Sequence, residues 1–223
     1  MKEVVLDTET TGLAVKDGHR IVEIGCIEIE NLIPTPKKFH CYLNPERKVS
    51  EKALEIHGYT DNFLSDKKKF NEIVDDFLEF IKEKKLIIHN AEFDLSHINN
   101  ELNLIGKKPI LKDNVIDTLE LARNKYPGSS ISLDALCKRF SIDNSRRTKH
   151  SALIDCELLT KVYINLIDQK EPKLNFNNKE DSINNKNLKQ ETEYSNKIIL
   201  PSEEENQLHK KFIKENLKKN YFS

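Results

Sequence analysis

The chain has 223 residues, of which 33% are charged and 37% are hydrophobic, and its formal net charge is −1. This length allows one well-packed domain with an appendage, and the balanced charge excludes a global basic field, so a nucleic-acid partner would need a local patch or metal ions. Because there is neither a run of about eighteen apolar residues nor a signal pattern, the sequence predicts a soluble, cytoplasmic protein with no membrane partner.

The first three predicted elements are strands. Residues 4–6 form an apolar run that leads into Asp7 and Glu9, residues 21–30 alternate apolar and acidic side chains in their second half, and residues 38–43 alternate again. Short loops between consecutive strands predict an antiparallel meander. The alternation predicts that the second strand is half-buried.

Helical periodicity dominates residues 50–167. Ser50 and Ser132 are predicted N-caps, and Gly58 and Gly106 end predicted helices. The predicted helices cover residues 50–56, 70–83, 92–105, 118–122, 132–140 and 151–167, and short strands are predicted at 86–88 and 115–118. Strands first, then strands interleaved with helices, predict an α/β domain with a mixed sheet flanked by helices. The four cysteines form no CxxC pair, which predicts reduced, mostly buried thiols.

The composition changes near residue 168. Residues 171–197 are rich in Asn, Lys and Glu and have no sustained period, which predicts a disordered linker after a domain of residues 1–170. In residues 198–223 a capping-box pair, Ser202 and Glu205, precedes an amphipathic helix whose stripe includes Leu208 and Phe212. A short helix of this kind cannot bury its apolar stripe alone.

Two acidic residues follow the first predicted strand. Side chains two residues apart on a strand point to the same side, so Asp7 and Glu9 are expected to project together. Neighbouring carboxylates repel each other unless a cation lies between them, and oxygen ligands suit magnesium or manganese. The alternative is an acidic turn after a core strand.

Two further acids stand at the edge of apolar helix faces. Asp155 precedes Leu158 and Leu159 on one predicted helix, and Asp94 precedes Ile98 on another. A carboxylate at a core-facing position is costly unless it is paired or binds a metal. The alternative is an ordinary acid near a helix N-terminus, where the helix dipole stabilises it.

A histidine and a basic loop precede the last helix of the domain. His150 is expected on the loop, reaching back across the acids, where a neutral imidazole can take a proton from an attacking water. The alternative is a solvated or structural histidine. Arg146 and Arg147 are expected to contact phosphates. Four carboxylates from separate segments and one histidine fit two bound cations that support phosphodiester cleavage.

These residues resemble the motifs of a known family. The stretch from Asp7 to Gly12, the stretch from His89 to Asp94, and His150 with Asp155 are similar to the three motifs of the DEDDh 3′→5′ exonucleases. The likeness to the proofreading epsilon subunits of bacterial DNA polymerase III extends over about residues 3–168. It implies a bacterial protein with a ribonuclease-H-like fold, two Mg²⁺ or Mn²⁺ ions, and removal of 3′-terminal nucleotides from DNA as 5′-monophosphates.

The resemblance also implies roles for single residues. Asp7, Glu9, Asp94 and Asp155 would hold the metals, and His150 would be the general base. Glu9, Thr10, His57, Phe93 and Asp155 would contact the substrate; the alternative for His57 and Gly58 is a plain helix end. Lys52 departs from the family, which has an acid there, so an acidic substrate contact at that position is in doubt.

The C-terminal segment resembles the family more weakly. Residues 198–223 are similar to the segment by which epsilon subunits bind the polymerase alpha subunit, and the alternative is a solvated, charged tail. A contact with a sliding clamp stays open, because Gln207, Leu208 and Phe212 and the region after Gln169 match a clamp-binding peptide poorly. The sequence does not decide whether a small accessory subunit also binds.

Three functions compete at this point. The first is a proofreading exonuclease subunit, which the linker and terminal helix favour. The second is a stand-alone member of the superfamily that acts on RNA 3′ ends or short oligonucleotides, with the same catalytic acids. The third is an inactive structural subunit, which the presence of all four acids and the histidine disfavours.

Overall fold

A five-stranded mixed sheet forms the centre of the protein. The computed structural model describes residues 2–167 and 201–216, so the predicted linker lies outside the described residues. The strands are β1 (Lys2–Thr10), β2 (Ile21–Glu30), β3 (Ile33–Tyr42), β4 (Lys85–Ile88) and β5 (Val115–Asp117), in the spatial order β3-β2-β1-β4-β5. The first three pair antiparallel, whereas β4 is parallel to β1 and to β5, which confirms the predicted meander and mixed sheet.

The predicted helices all occur, with ends shifted by a few residues. They are α1 (Glu51–His57), α3 (Phe70–Ile81), α4 (Ala91–Leu104), α5 (Thr118–Lys125), α6 (Leu133–Arg139), α7 (Ala152–Leu166) and α8 (Glu203–Asn216). A one-turn helix, α2 (Asp61–Leu64), was not predicted because it is too short to show a period. Ser50 and Ser132 accept hydrogen bonds from Ala53 N–H and Ala135 N–H, as N-caps should. None of the described helices is long and apolar enough to cross a membrane.

The prediction that β2 is half-buried is wrong. Every residue from Ile21 to Ile29 is buried, including Glu23 and Glu28. The reason is position in the sheet: β2 lies between β1 and β3, and both faces of the sheet are covered. Glu23 and Glu28 therefore point into the protein rather than to water.

The third strand begins five residues earlier than predicted. The added residues include Pro34, which pairs with Ile29, and Pro36. Proline is tolerated in β3 because this strand lies at the edge of the sheet, where one row of N–H groups needs no partner.

The core is divided by the sheet into two layers. Val4 and Leu6 on one face of β1 pack with α3 and α4, and Val5 on the other face packs with α5, α6 and α7. The same alternation continues beyond the apolar run. It places Thr8 on the α4 side of the sheet and Asp7 and Glu9 on the α7 side.

A glycine allows α7 to approach the sheet closely. Gly25 pairs with Asp7 across the strands, and a Cβ atom at this position would lie 2.5 Å from the backbone carbonyl carbon of Ala152. The Cys156 thiol donates to the Gly25 carbonyl at 3.2 Å. All four cysteines are free thiols, and three of them are buried, in line with the prediction.

The terminal helix α8 belongs to a separate unit of the chain. Its predicted capping box is confirmed: Ser202 N–H donates to Glu205 Oε2 at 2.8 Å, and Glu205 N–H donates to Ser202 Oγ at 3.2 Å. Leu208 and Phe212 lie one helical turn apart and are 68% and 60% exposed, so this helix presents an apolar stripe to solvent.

Asp117 joins the starts of two helices. Its carboxylate accepts hydrogen bonds from Asn90 N–H and Ala91 N–H at the start of α4, both at 3.1 Å, and from Leu119 N–H in α5 at 2.9 Å. The first N–H groups of a helix have no partner within it, so one carboxylate satisfies donors of both helices.

We expect Asp117→Ala to lower the free energy of unfolding by about 1–3 kcal/mol, because three backbone donors lose their acceptor. Urea denaturation followed by circular dichroism measures this change. Asp113→Ala, which removes an exposed aspartate from the same region, should change stability by less than about 0.5 kcal/mol. Equal stabilities of the two variants would contradict the interpretation that Asp117 caps both α4 and α5.

Candidate active site

Acidic residues from three segments meet at the end of β1. Asp7 and Glu9 lie on the α7 side of the strand, as the alternation predicts, and both line a cavity of about 390 Å³. Asp94, from the first turn of α4, and Asp155, from the first turn of α7, line the same cavity and are 2% and 3% exposed. The structure thus brings together all four predicted carboxylates.

Asp94 reaches the cavity from the other face of the sheet. Thr8, between the two acids of β1, donates its hydroxyl proton to Asp94 Oδ1 at 2.7 Å. The chain enters α4 through Asn90, which has a left-handed backbone conformation (φ 75°). This turn directly after β4 places Asp94 at the ends of the parallel strands β1 and β4, where α/β proteins commonly form their sites.

His150 lies on the loop before α7, as predicted. Its Nδ1 atom is 3.5 Å from Asp155 Oδ2 and 3.9 Å from Glu9 Oε1. Side-chain ligand atoms of Glu9, His150 and Asp155 all lie within 4.8 Å of one another. The imidazole is 44% exposed, so it is the member of the group that solvent reaches best.

The expectation that Arg147 is free to contact phosphates is wrong. Its guanidinium is 7% exposed and holds both oxygens of Asp155, with Nε–Oδ1 at 2.5 Å and Nη2–Oδ2 at 2.7 Å. It also pairs with Asp134 on α6 at 2.8 Å and donates to His150 Nδ1 at 2.8 Å. Arg146, by contrast, is 77% exposed and pairs with Glu157 at 3.0 Å.

Sequence analysis missed this internal role because eight residues separate Arg147 from Asp155, and the loop between them has no period that could relate the two. A usable signal was present in the composition: four acids at one place need compensating positive charge. Burial would lower the pKa of Arg147, but Asp155 and Asp134 outweigh it and raise that pKa, so the guanidinium stays charged.

The carboxyl groups are strongly perturbed. Burial, followed by the charges of Asp94, Asp155 and Glu9, raises the pKa of Asp7 well above its ordinary value. Burial and the neighbouring carboxylates raise the pKa of Glu9 to about 8, and burial raises the pKa of Asp94 to about 7. Burial and the charge of Arg147 lower the pKa of His150, which favours a neutral imidazole.

This chemistry fits divalent cations. The donors are hard carboxylate oxygens, which magnesium and manganese prefer. One arginine leaves most of the acidic charge of the cavity uncompensated, as the raised pKa values of Asp7, Glu9 and Asp94 indicate. A bound cation would supply the remaining positive charge. Asp7, Glu9, Asp94 and Asp155 are the residues that could hold it.

A second cavity of about 390 Å³ adjoins the first and shares Glu9 and Phe93 with it. Its wall is more apolar and includes Thr10, His57 and Lys52, with Leu13 and Ile56 nearby. All three residues predicted to contact substrate outside the acids, Thr10, His57 and Phe93, therefore lie around this cavity, and Lys52 adds a positive charge to it.

His57 is built into the wall of the second cavity. The ring is 3% exposed, its Nδ1 accepts from Tyr59 N–H at 3.0 Å, and its Nε2 lies 3.3 Å from the Thr10 carbonyl oxygen. Both ring nitrogens thus have protein partners, and a ligand could contact only the ring carbons. Gly58 ends α1 in the left-handed conformation, so the helix-end alternative also describes this pair.

The chain is similar in sequence to known proteins over nearly its whole length. The RNase_T family model, described as Exonuclease, matches residues 4–163. The chain is 47% identical to the DNA polymerase III subunit epsilon of Rickettsia conorii, covering 99% of both chains, and 47% identical to that of Salmonella typhimurium, covering 73% of this chain and 70% of the other.

Two solved structures share the fold. The nuclease domain of 3′hExo, a DEDDh family member bound to rAMP, gives a TM-score of 0.66 at 17% identity and covers 76% of this chain and 92% of its own. Exonuclease X in complex with 5′ overhanging duplex DNA gives a TM-score of 0.59 at 24% identity, with 75% and 92% covered.

In a chelator, the unfolding temperature should fall as the pH rises from about 6.5 to about 8, because the folded protein binds more protons at Glu9 than the unfolded chain does. Below about pH 6.5 the lowered pKa values of four histidines, His57, His89, His97 and His150, act in the opposite direction. The raised pKa values of Asp7 and Asp94 act in the same direction as that of Glu9. Mg²⁺ or Mn²⁺ should reverse the loss at the upper end of this range. Differential scanning fluorimetry across a pH series measures both effects.

Asp7→Asn should flatten this pH dependence and weaken the stabilisation by the cation, because it removes one of the repelling carboxylates. Asp76→Asn, an exposed aspartate of α3, serves as the control and should behave like the unmodified chain. A chelated protein whose stability rises from about pH 6.5 to about pH 8 would contradict the charge assignment of the cavity.

Proposed function

The chain belongs to the RNase_T exonuclease family and, by its nearly full-length similarity, to the DNA polymerase III epsilon subunits; from this we propose that it is a 3′→5′ exonuclease that proofreads newly made DNA. The observation that carries the proposal is the convergence of Asp7, Glu9, Asp94 and Asp155 on one cavity with His150 at its rim. The relatives are replication proteins of bacteria, so we place its activity in the bacterial cytoplasm.

Asp7, Glu9, Asp94 and Asp155 hold Mg²⁺ or Mn²⁺ in this proposal, with two ions per site. Such ions lower the pKa of water and stabilise the leaving oxygen of a phosphodiester. The protein contributes the fixed positions of the oxygens: β1 presents two of them, and the first turns of α4 and α7 present the others.

His150 is the proposed general base. Its Nδ1 atom faces the acids and carries a lone pair, because the Arg147 guanidinium can only donate to it. We propose that the attacking water replaces Arg147 as the donor to Nδ1 and gives up its proton there. The lowered pKa of the imidazole keeps this nitrogen unprotonated near neutral pH.

The two cavities suggest how the end of the strand is seated. The scissile phosphate would lie in the acidic cavity, near Glu9 and Asp155, and the terminal nucleoside in the more apolar one, against Phe93 and Thr10. The ring of His57 shapes the wall without donating to the ligand. Phe93, which lines both cavities, would contact the nucleotide at the junction.

A primer–template with a mismatched 3′ end tests the proposal. We expect Mg²⁺-dependent release of deoxynucleoside 5′-monophosphates, faster at the mismatch than at a paired end, measured by gel electrophoresis and chromatography of the products. Asp7→Ala should remain folded and lose activity, since it removes a proposed metal ligand, whereas Asp76→Ala should be fully active.

Two results would overturn this assignment. Faster release from single-stranded RNA of equal length would favour the stand-alone exonuclease of RNA ends. Full activity of Asp7→Ala would show that the cavity described above is not the catalytic one.

We further propose that residues 198–223 bind the polymerase alpha subunit. The support is the exposed apolar stripe of α8, with Leu208 68% exposed, because a helix of this length needs a partner surface to bury such side chains. The similarity to the Rickettsia epsilon subunit also covers this segment, since it extends over 99% of the chain.

Leu208→Glu should weaken binding to the alpha subunit at least about tenfold, because it places a charge in an apolar contact, and should leave hydrolysis by the isolated chain unchanged. Lys210→Glu on the polar part of α8 changes charge in the same direction without touching the stripe and should bind nearly normally. Surface plasmon resonance with the full chain measures the affinity of both variants for the alpha subunit. Equal losses of affinity would show that binding depends on the charge of α8 rather than on its apolar stripe.

A further inference from the structure

Glu23 is a buried carboxylate beside the acidic cavity that the proposed mechanism does not use. It lies on β2 directly opposite Glu9 of β1, and its exposure is 0%. Four groups donate hydrogen bonds to it: His40 Nε2 at 2.7 Å, Tyr59 Oη at 2.8 Å, Ala152 N–H at 2.9 Å and Ser151 Oγ at 3.0 Å. These donors come from three different parts of the chain: β3, the loop after α1 and the start of α7.

The contact with α7 replaces an ordinary helix cap. Ser151 is the N-cap residue, but its hydroxyl does not accept from its own helix; it donates to Glu23. The first N–H of the helix, at Ala152, also donates to Glu23. The Glu23 carboxylate, which lies on the neighbouring strand β2, therefore caps the helix in place of the Ser151 side chain. Its negative charge is favourable at the positive end of the helix.

This cap fixes the segment that carries two proposed active-site residues. His150 immediately precedes Ser151, and Asp155 lies in the first turn of the helix. Gly25, two residues after Glu23 on the same strand, leaves room for the Ala152 backbone. The start of α7 is thus held against β2 by a hydrogen-bonded carboxylate and by close backbone packing.

The other two donors link Glu23 to the second cavity. The Tyr59 ring is stacked on the ring of His57 at 4.8 Å, and His57 is part of the cavity wall. The His40 ring contacts the Tyr42 ring, which in turn contacts the Tyr59 ring. The two ring donors of Glu23 are therefore packed together through Tyr42. Glu23 thus contacts the segment that holds the proposed base directly, and the wall of the second cavity through Tyr59.

The group is suited to remain ionised. Burial alone would raise the pKa of Glu23, but the hydrogen bonds from His40, Ala152 N–H and Tyr59 more than offset burial and hold the pKa below its ordinary value. Glu9, directly opposite, has a raised pKa instead. These two acids on paired strands therefore have opposite pKa shifts, because Glu23 accepts hydrogen bonds from four donors whereas Glu9 faces the acidic cavity.

We infer that Glu23 is a positioning residue of the exonuclease, which sets the start of α7 and thereby the place of His150 and Asp155 relative to β1. This inference rests on the proposed function. A carboxylate offers about four acceptor sites, whereas the single carbonyl oxygen of a glutamine offers two and its amide faces the donors. Glu23→Gln therefore disrupts the set of four accepted hydrogen bonds while keeping the size of the side chain.

The expected result is a kcat lower by about 10- to 100-fold, with KM changed less than about threefold, because misplacing the base and one ligand by a fraction of an ångström slows the reaction without removing the substrate cavity. Initial rates on the mismatched primer–template give both constants. The affinity for Mn²⁺, measured by isothermal titration calorimetry on the full chain, should fall as well, since Asp155 moves with α7.

Glu28→Gln is the matched control. Glu28 lies on the same strand, is 1% exposed and pairs with Lys84 at 2.8 Å and with Thr35 at 3.2 Å, away from the cavity. Its replacement should cost stability and leave kcat unchanged. Should Glu23→Gln fail to fold, Ser151→Ala and Tyr59→Phe each remove one donor and should each lower kcat by about two- to fivefold, in line with one hydrogen bond.

The outcomes separate the two proposals. One outcome is that the unmodified chain degrades DNA while Glu23→Gln and Glu28→Gln lose equal stability and have equal kcat values. That result would overturn the positioning role of Glu23 and leave the proposed function intact. If the unmodified chain has no nuclease activity, the proposed function is overturned. A lower Mn²⁺ affinity of Glu23→Gln would then still support the positioning role, through the metal site alone.

Discussion

The gathering of like charge at the end of β1 is the constraint on which the rest of the structure depends. Asp7, Glu9, Asp94 and Asp155 surround one cavity, and burial makes their repulsion stronger than it would be in water. Only rigid surroundings can hold such a group together. The fold supplies them with a sheet covered on both faces, so the strand that presents two of the acids has no freedom to move away.

The segment from Arg147 to Asp155 shows how opposite charges are used to hold that group. Arg147 contacts Asp155 and His150 from the cavity side, and Glu23 binds the start of α7 from the sheet side. A buried ion pair adds little net stability, because desolvation offsets the attraction, but it fixes geometry through directional hydrogen bonds. We therefore regard these two residues as determinants of position more than of stability.

Much of the fold could be predicted from the sequence because periodicity is a local property. The helices, the three-stranded meander and the four acids all appear where pattern and motif predict them. Burial on both faces of β2 could not be predicted, since it depends on which strand lies in the centre of the sheet. The partners of Arg147, Glu23 and His57 were missed for a related reason: each side chain contacts residues eight or more positions away, or on another element, and no single-strand or single-helix pattern encodes such a contact.

Substrate choice must be decided outside the acids. The proposed ligand carboxylates could serve DNA and RNA alike, because the bond that is broken in both polymers is a phosphodiester. The second cavity adjoins the acids, and Lys52, Thr10 and the fixed ring of His57 are part of its wall. Changes to Lys52 or Leu13 in that wall would alter its charge or polarity while leaving the acids of the first cavity in place, so substrate preference could change without disturbing hydrolysis.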